Sequence, residues 1–234
     1  CCIYSQNQNH KHNEANCKTE FFIENLKILE SQLSKINIPL TIITSEGFKD
    51  NSEIIYSYIQ NNSLDKVFWN NQFGVDESIR DESVQNFLKI KKIEFENFDE
   101  QVVFAPGSIL TSEGKPYSVF TPFKRRWIEK FNLDLLDIEF EYTHKNITKN
   151  KSNVNEFDFK FKRNHQVDMS LWPAGEEEAL SRLKSYLNKN IFRYAQDRND
   201  PILDGTSRLS AYLASGIISP KRCILEALKI NNFE

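Results

Sequence analysis

Short apolar runs alternate with amphipathic helical segments over the first hundred residues, and no hairpin turn joins two of these runs. Apolar residues spaced four and three apart over 19–36 predict a helix, and the β-branched run at 40–43 predicts a buried strand. The pattern continues with a helix from Ser52, a strand over 66–69, a helix over 79–88 and a strand over 93–98. Because strands without hairpins need crossover connections, the sequence predicts a parallel, doubly wound α/β sheet of the Rossmann-like type.

The second half of the chain has a different composition and a different pattern of apolar residues. Lys, Asn and Asp dominate from 132 to 171, where the aromatic residues follow no period, so this stretch is typical of an interdomain linker. Three helices without intervening strands are then predicted: one from Glu176, one from near Thr206 to Gly216, and one from Ser219-Pro220. The predicted domains are therefore an α/β domain at 1–131, a linker at 132–171 and the beginning of an all-α domain at 172–234.

Composition excludes several classes of function. No stretch approaches the roughly 20 apolar residues that span a bilayer, and a net charge of −3 gives no global positive field. The seven glycines form neither a Rossmann nor a P-loop fingerprint. The four cysteines have no C-x-x-C spacing and the histidines form no H-E-x-x-H, so no metal site is expected. Without a spaced disulfide framework, we expect a reducing, cytoplasmic compartment.

A hydroxyl-rich turn at 204–210 is the first candidate site. Its sequence is Asp-Gly-Thr-Ser-Arg-Leu-Ser, with the polar side chains of Thr206, Ser207, Arg208 and Ser210. Unpaired N–H groups in the first turn of a helix, together with these hydroxyls, could bind a phosphate or pyrophosphate. The alternative is an ordinary helix cap with a solvated arginine.

The segment 75–81 follows the strand at 66–69, where ligands bind in open parallel sheets. Asp76 could cap the next helix, and Glu77 and Arg80 are three residues apart on one face. The alternative to a binding site is therefore a cap with a surface ion pair.

Two further patterns carry positive charge. Tyr194 and Arg198 are four residues apart and would share a helix face, which suits a ring or a phosphate but also simple packing. The basic triplet at 124–126 is most often a solvated helix face.

Taken together and in this order, the motifs resemble the DNA photolyase/cryptochrome family. The segments that carry the resemblance are 117–124 with Trp127, 172–176, 194–198 with Pro201, 204–210 and 213–220. The folate-type class I deoxyribodipyrimidine photolyases are the closest match. The resemblance covers essentially the whole chain.

The resemblance implies an α/β antenna domain followed by a helical domain that binds FAD. It assigns FAD contacts to Tyr194 and to the run Thr206, Ser207, Arg208, Leu209 and Ser210, and it places Arg198 on the DNA-facing side. Glu77 would hold the pterin of a methenyltetrahydrofolate antenna, with Asp76, where Asn is more usual, and His12 nearby. The implied partner is UV-damaged DNA and the implied protein is a monomer.

The implied activity is light-driven repair: reduced FAD passes an electron to a cyclobutane pyrimidine dimer, which splits and returns the electron. The family's first strand and most of its flavin domain have no counterpart here, so we expect a fragment without catalytic residues that binds FAD weakly or not at all and repairs nothing. One alternative is a cryptochrome, a blue-light receptor without repair activity. Another is a generic nucleotide-binding α/β domain with a helical interaction module.

Overall fold

The computed structural model describes residues 1–136, 151–159 and 168–230 of the chain. Their contacts form two compact units. Unit 1 comprises the described residues within Cys1–Trp69, Gly74–Glu96 and Tyr142–Ala179, and unit 2 those within Asn70–Phe73, Asn97–Glu141 and Leu180–Glu234. Most of the predicted linker, namely 137–150 and 160–167, lies outside the described residues.

Strands and helices alternate over the first hundred residues, as the sequence predicts. The elements are β1 (Cys2–Tyr4), α1 (Gln6–Lys11), α2 (Asn16–Ser34), β2 (Ile42–Thr44), α3 (Asn51–Asn62), β3 (Lys66–Asn70), α4 (Val75–Ile90) and β4 (Glu94–Phe98). This order confirms the α/β class of the first domain.

Strand pairing is divided between two small sheets. β1 pairs with β2 in parallel, with Cys2 opposite Ile42 and Tyr4 opposite Thr44. β3 pairs with β4, and over the described ranges no bond joins the two pairs into the single sheet that the sequence predicts. In a parallel ladder, alternate residues of a strand bond to one neighbour. The backbone hydrogen bonds of Cys2 and Tyr4 both go to the β2 side, so these two residues of β1 pair along one edge of the strand.

The other edge of β2 is covered by a side chain from the segment 151–159. The Asn153 amide accepts a hydrogen bond from the Ile42 N–H at 2.7 Å and donates one to the Ile42 carbonyl at 3.0 Å. An amide group thereby replaces a neighbouring strand and protects an open sheet edge. Val154 and Phe159 from the same segment are buried, although its irregular sequence gives no periodic signal for core residues.

Apolar clusters form the cores of unit 1, and two of them are built from described residues. The first packs α2 against β1, β2 and the segment 151–159; its buried members are Tyr4, Ile23, Leu26, Leu40, Ile42, Val154 and Phe159. The second packs α3 and α4 on the inner face of β3 and β4, around Ile59, Val84 and Leu88. Each fully buried side chain of this size contributes about 1.5–3 kcal/mol.

The remaining α-helices of the described residues follow the first hundred positions. They are α5 (Phe120–Lys130), α6 (Glu176–Lys189), α7 (Tyr194–Asp197), α8 (Ser210–Ala214) and α9 (Pro220–Ile230). Within the part of the chain that the structure describes, no helix combines the length and apolar character needed to cross a membrane.

The helix predicted from Thr206 begins later, at Ser210. Arg208 has a φ of +52°, in the left-handed region, and this conformation interrupts a right-handed helix. The predicted end is correct: Gly216 has a φ of +68°, and the Ile217 N–H donates to the Tyr212 carbonyl at 2.9 Å. The predicted start of the last helix at Ser219-Pro220 is also confirmed, because the Ser219 hydroxyl accepts from the Lys221 N–H.

Candidate functional site

The run 206–210 lies on the surface of unit 2, and its backbone is irregular up to Ser210, where α8 begins. Thr206, Arg208 and Ser210 are exposed, and Ser207 is half-buried. The Leu209 side chain is only 3% exposed, so it anchors the run in the core and only its backbone can face a ligand. The sequence prediction that Thr206 opens a helix is wrong, since only Ser210 belongs to α8.

Two contacts hold the residues just before this run, one from Asn190 at the end of α6 and one at the end of α7. The Asn190 side chain donates to the Asp204 carbonyl at 2.6 Å. Gly205 lies so close to Asp197 that a Cβ at position 205 would be 2.8 Å from the Asp197 carbonyl carbon. Backbone atoms cannot move aside as a flexible side chain can, so only glycine fits here.

An ion pair and two hydroxyls give the run its polar character. Arg208 Nε lies 2.8 Å from the Asp204 carboxylate, and both side chains remain more than half exposed. The exposed hydroxyls of Thr206 and Ser210 flank this guanidinium in sequence. Hydroxyls and a guanidinium are donors that suit phosphate oxygens, so the residues present fit a diphosphate ligand.

Tyr194 and Arg198 share one face of α7 and its end, as their spacing predicts. The Arg198 guanidinium carbon lies 5.4 Å from the centre of the Tyr194 ring, within the range of a cation–π contact. Tyr186 packs edge-on against the same ring at 6.4 Å. Tyr194 is 40% exposed and Arg198 is exposed, so an aromatic ring and a cation lie side by side at the surface of unit 2.

The second candidate cluster lies in unit 1, at the amino end of α4. One carboxylate oxygen of Asp76, Oδ2, lies 2.6 Å from Lys11 Nζ, 3.1 Å from Gln8 Nε2 and 3.3 Å from His12 Nε2. The hydrogen bond from Lys11, followed by that from Gln8, lowers the pKa of the Asp76 carboxyl below its usual value. The predicted cap by Asp76 is wrong, because Gly74 occupies that position and no side chain caps the helix.

Glu77 turns back towards Gly74 instead of along the helix. Its Oε2 would lie 2.0 Å from a Cβ built at position 74, so the absence of a side chain there makes room for the carboxylate. The ion pair considered between Glu77 and Arg80 is replaced by one between Arg80 and Asp81 at 2.6 Å. The Arg80 guanidinium also lies over the Phe48 ring at 4.8 Å. Glu77 thus keeps its carboxylate at the amino end of α4.

The remaining sequence candidates add little chemistry. Lys124, Arg125 and Arg126 are exposed on α5, where Arg126 pairs with Glu129 at 3.2 Å. Within the described ranges, no group of His, Cys, Asp and Glu residues is arranged to hold a metal ion.

Sequence reasoning missed three residues that shape these clusters. Lys11 reaches Asp76 across 65 positions of sequence, and no local pattern indicates such a contact. Asn190 follows a predicted helix, and no sequence pattern there indicates its contact with Asp204. Gly205 was the one available signal, because a glycine next to a candidate site often marks a close approach of backbone.

Comparison with known proteins gives the family. The DNA photolyase family model matches residues 1–142, which is more than half of the 234 residues. The chain therefore belongs to the DNA photolyase family. The deoxyribodipyrimidine photo-lyase of Escherichia coli (strain K12) is 29% identical over 213 residues, which cover 91% of this chain and 44% of that protein. The deoxyribodipyrimidine photo-lyase of Neurospora crassa is 31% identical, and the alignment covers 99% of this chain and 40% of that protein.

Solved structures support the fold. A class III photolyase from Agrobacterium tumefaciens superposes with a TM-score of 0.74 at 22% identity, covering 92% of this chain and 44% of that one. A cryptochrome from Synechocystis sp. PCC6803 gives a TM-score of 0.71 at 18% identity, with 94% and 46% covered. The chain thus spans less than half the length of these similar proteins.

Proposed function

We propose that the chain is the antenna domain, linker and first part of the flavin domain of a photolyase that repairs cyclobutane pyrimidine dimers in DNA with light. The domain bounds we propose are 1–131, 132–171 and 172–234. The supporting observation is that curated deoxyribodipyrimidine photo-lyases align along 91% or more of the chain in both comparisons above. The alignment includes the segment that carries the hydroxyl run.

The proposed FAD-binding residues are Tyr194, Thr206, Ser207, Arg208, Leu209 and Ser210. Reduced FAD, when bound, supplies the electron that splits the dimer after light absorption. The chain's own part is to bind and orient the cofactor: the hydroxyls and Arg208 donate to phosphate oxygens, and Leu209 holds the run in place. The close approach at Gly205 keeps this run beside α7, which carries Tyr194.

The proposed antenna is methenyltetrahydrofolate, held at the amino end of α4. A carboxylate offers two acceptor oxygens to adjacent N–H donors of a ring, which is the role we assign to Glu77. Asp76 and His12 are the neighbouring residues of this site. The local geometry supports the assignment because His12 reaches Asp76 at 3.3 Å, although the two are far apart in sequence.

The proposed partner is UV-damaged DNA, bound by a monomer. Arg198 is exposed and its charge is not neutralised by a carboxylate of the described residues, so it can bind a backbone phosphate. Such contacts add affinity without sequence preference. A damaged base pair costs less to flip out of the stack, and this difference gives part of the selectivity.

A cryptochrome remains a second candidate because a cryptochrome structure superposes over 94% of the chain. The deciding experiment uses the full-length protein that carries this sequence, purified and illuminated with a thymine-dimer oligonucleotide. Recovery of thymine absorbance in light, but not in darkness, supports the photolyase. A flavin spectrum without repair favours the cryptochrome. A protein without any flavin or folate absorbance would contradict both and favour a generic nucleotide-binding domain.

A further inference from the structure

Helix α1 is fastened to the rest of unit 1 through the carboxylate of Asp76. Gln8 and Lys11 from α1, and His12 just after it, all direct a side-chain nitrogen at Oδ2 of Asp76. The two segments are 64 to 68 positions apart in sequence. This contact is therefore tertiary and ties the start of the chain to the amino end of α4.

Helix α1 has little stability of its own. It is six residues long, and its sequence Gln-Asn-Gln-Asn-His-Lys contains no apolar side chain. Isolated helices of this length are unstable in water, and a helix that is polar on all sides buries no apolar stripe. Asn13, directly after His12, has a φ of +49° and ends the segment. Such a helix depends on tertiary contacts, and the bonds from Gln8, Lys11 and His12 to Asp76 are contacts of this kind.

A carboxylate is suited to this role in a way that an amide is not. Hydrogen bonds from an ammonium to a carboxylate are roughly twice as strong as neutral ones. An asparagine at position 76 would keep one acceptor oxygen but lose the attraction to Lys11. The contacts from Gln8, Lys11 and His12 all go to Oδ2 of Asp76, the residue before Glu77.

We propose that Asp76 is a positioning residue whose ionised carboxylate fastens α1 and holds His12 at the amino end of α4, so that the antenna ligand meets a preformed site. The fastening stands on the contacts alone. The ligand part rests on the proposed function, in which Glu77 and His12 bind the antenna chromophore.

Hydrogen exchange of the ligand-free protein tests the fastening. Asp76→Asn and Lys11→Met should each raise the exchange rate of the amides of residues 6–12 by about fivefold, since local opening governs exchange in such a segment. Lys11→Arg keeps the charge and should restore protection. Glu82→Gln is the matched control, because Glu82 is an exposed carboxylate on the same helix. Unchanged exchange in both Asp76→Asn and Lys11→Met would overturn the fastening.

Titration with methenyltetrahydrofolate, followed by its fluorescence, tests the ligand part. Asp76→Asn and Lys11→Met should raise Kd about threefold or more, roughly the effect of losing one charge-assisted contact. Lys11→Arg and Glu82→Gln should bind like the wild type. Faster exchange with an unchanged Kd would overturn the positioning role. Failure of the wild type to bind, with exchange still faster in the variants, would support the fastening and contradict the proposed antenna ligand.

Discussion

Replacing Asn153 by Ala should destabilise unit 1 through the edge of β2. The Asn153 amide makes two hydrogen bonds to the backbone of Ile42, at 2.7 and 3.0 Å, and Ile42 is only 3% exposed. A buried donor or acceptor left without a partner costs about 1–3 kcal/mol, so leaving both the N–H and the carbonyl of Ile42 without partners should cost about 2–6 kcal/mol.

Urea denaturation followed by tryptophan fluorescence measures this loss, with an unchanged denaturant slope showing that stability alone has changed. Asn155→Ala is the matched control, because its amide makes one long, exposed contact of 3.5 Å to Glu30. We expect that control to lie within about 0.5 kcal/mol of the wild type. An Asn153→Ala variant equally close to the wild type would refute the account of the sheet edge.

Asn153→Asp separates hydrogen bonding from side-chain volume. Its carboxylate can still accept from the Ile42 N–H but faces the Ile42 carbonyl without a proton to donate. We therefore expect a loss of stability at neutral pH that shrinks at acidic pH, where a protonated carboxyl can donate to that carbonyl. A loss that stays constant as the pH falls would contradict this reasoning.

The remaining predictions concern the two candidate clusters. Gly205→Ala should cost about 1–3 kcal/mol of unfolding free energy in urea titrations, because the new Cβ would overlap backbone. Gly47→Ala should be near neutral, since its Cβ would meet open space, and equal effects would contradict the close approach. A pH titration followed by carbon NMR should place the titration midpoint of the Asp76 carboxyl below the ordinary aspartate pKa of about 3.9, and Lys11→Met should raise that midpoint. The fastening should accordingly persist above the ordinary pKa and be lost as the pH falls through the lowered one; a midpoint at or above the ordinary value would refute it. Arg198→Gln in the full-length protein should weaken binding to damaged and undamaged DNA alike. It should also reduce by about one the slope of the logarithm of the binding constant against the logarithm of the salt concentration. A change confined to damaged DNA would assign Arg198 to the lesion instead.

The sequence predicts the helices and strands of the first hundred residues because each periodic apolar pattern contains residues that are buried in a core or packed against one. Leu26 on α2 and Leu88 on α4 are examples, and both belong to the cores of unit 1. The end of α8 near Gly216 can also be predicted from the local sequence, because a glycine in the left-handed conformation commonly follows the last turn of a helix.

Contacts between residues distant in sequence could not be predicted in the same way. Asn153 covers β2 and Lys11 reaches Asp76, and neither partner leaves a periodic or motif signal. Arg208 shows a different limit: its left-handed φ delays the helix, although the residue types at 206–210 are compatible with a helix start. The position of the hydroxyl run therefore depends on the tertiary contact at Gly205.

The most direct test of the account is light-dependent repair by the full-length protein that carries this sequence. We predict that blue light restores the absorbance of thymine in a dimer-containing oligonucleotide, while a sample kept in darkness shows no change. A protein that contains reduced flavin and binds the damaged DNA, yet leaves the dimers intact after illumination, would contradict the proposed function.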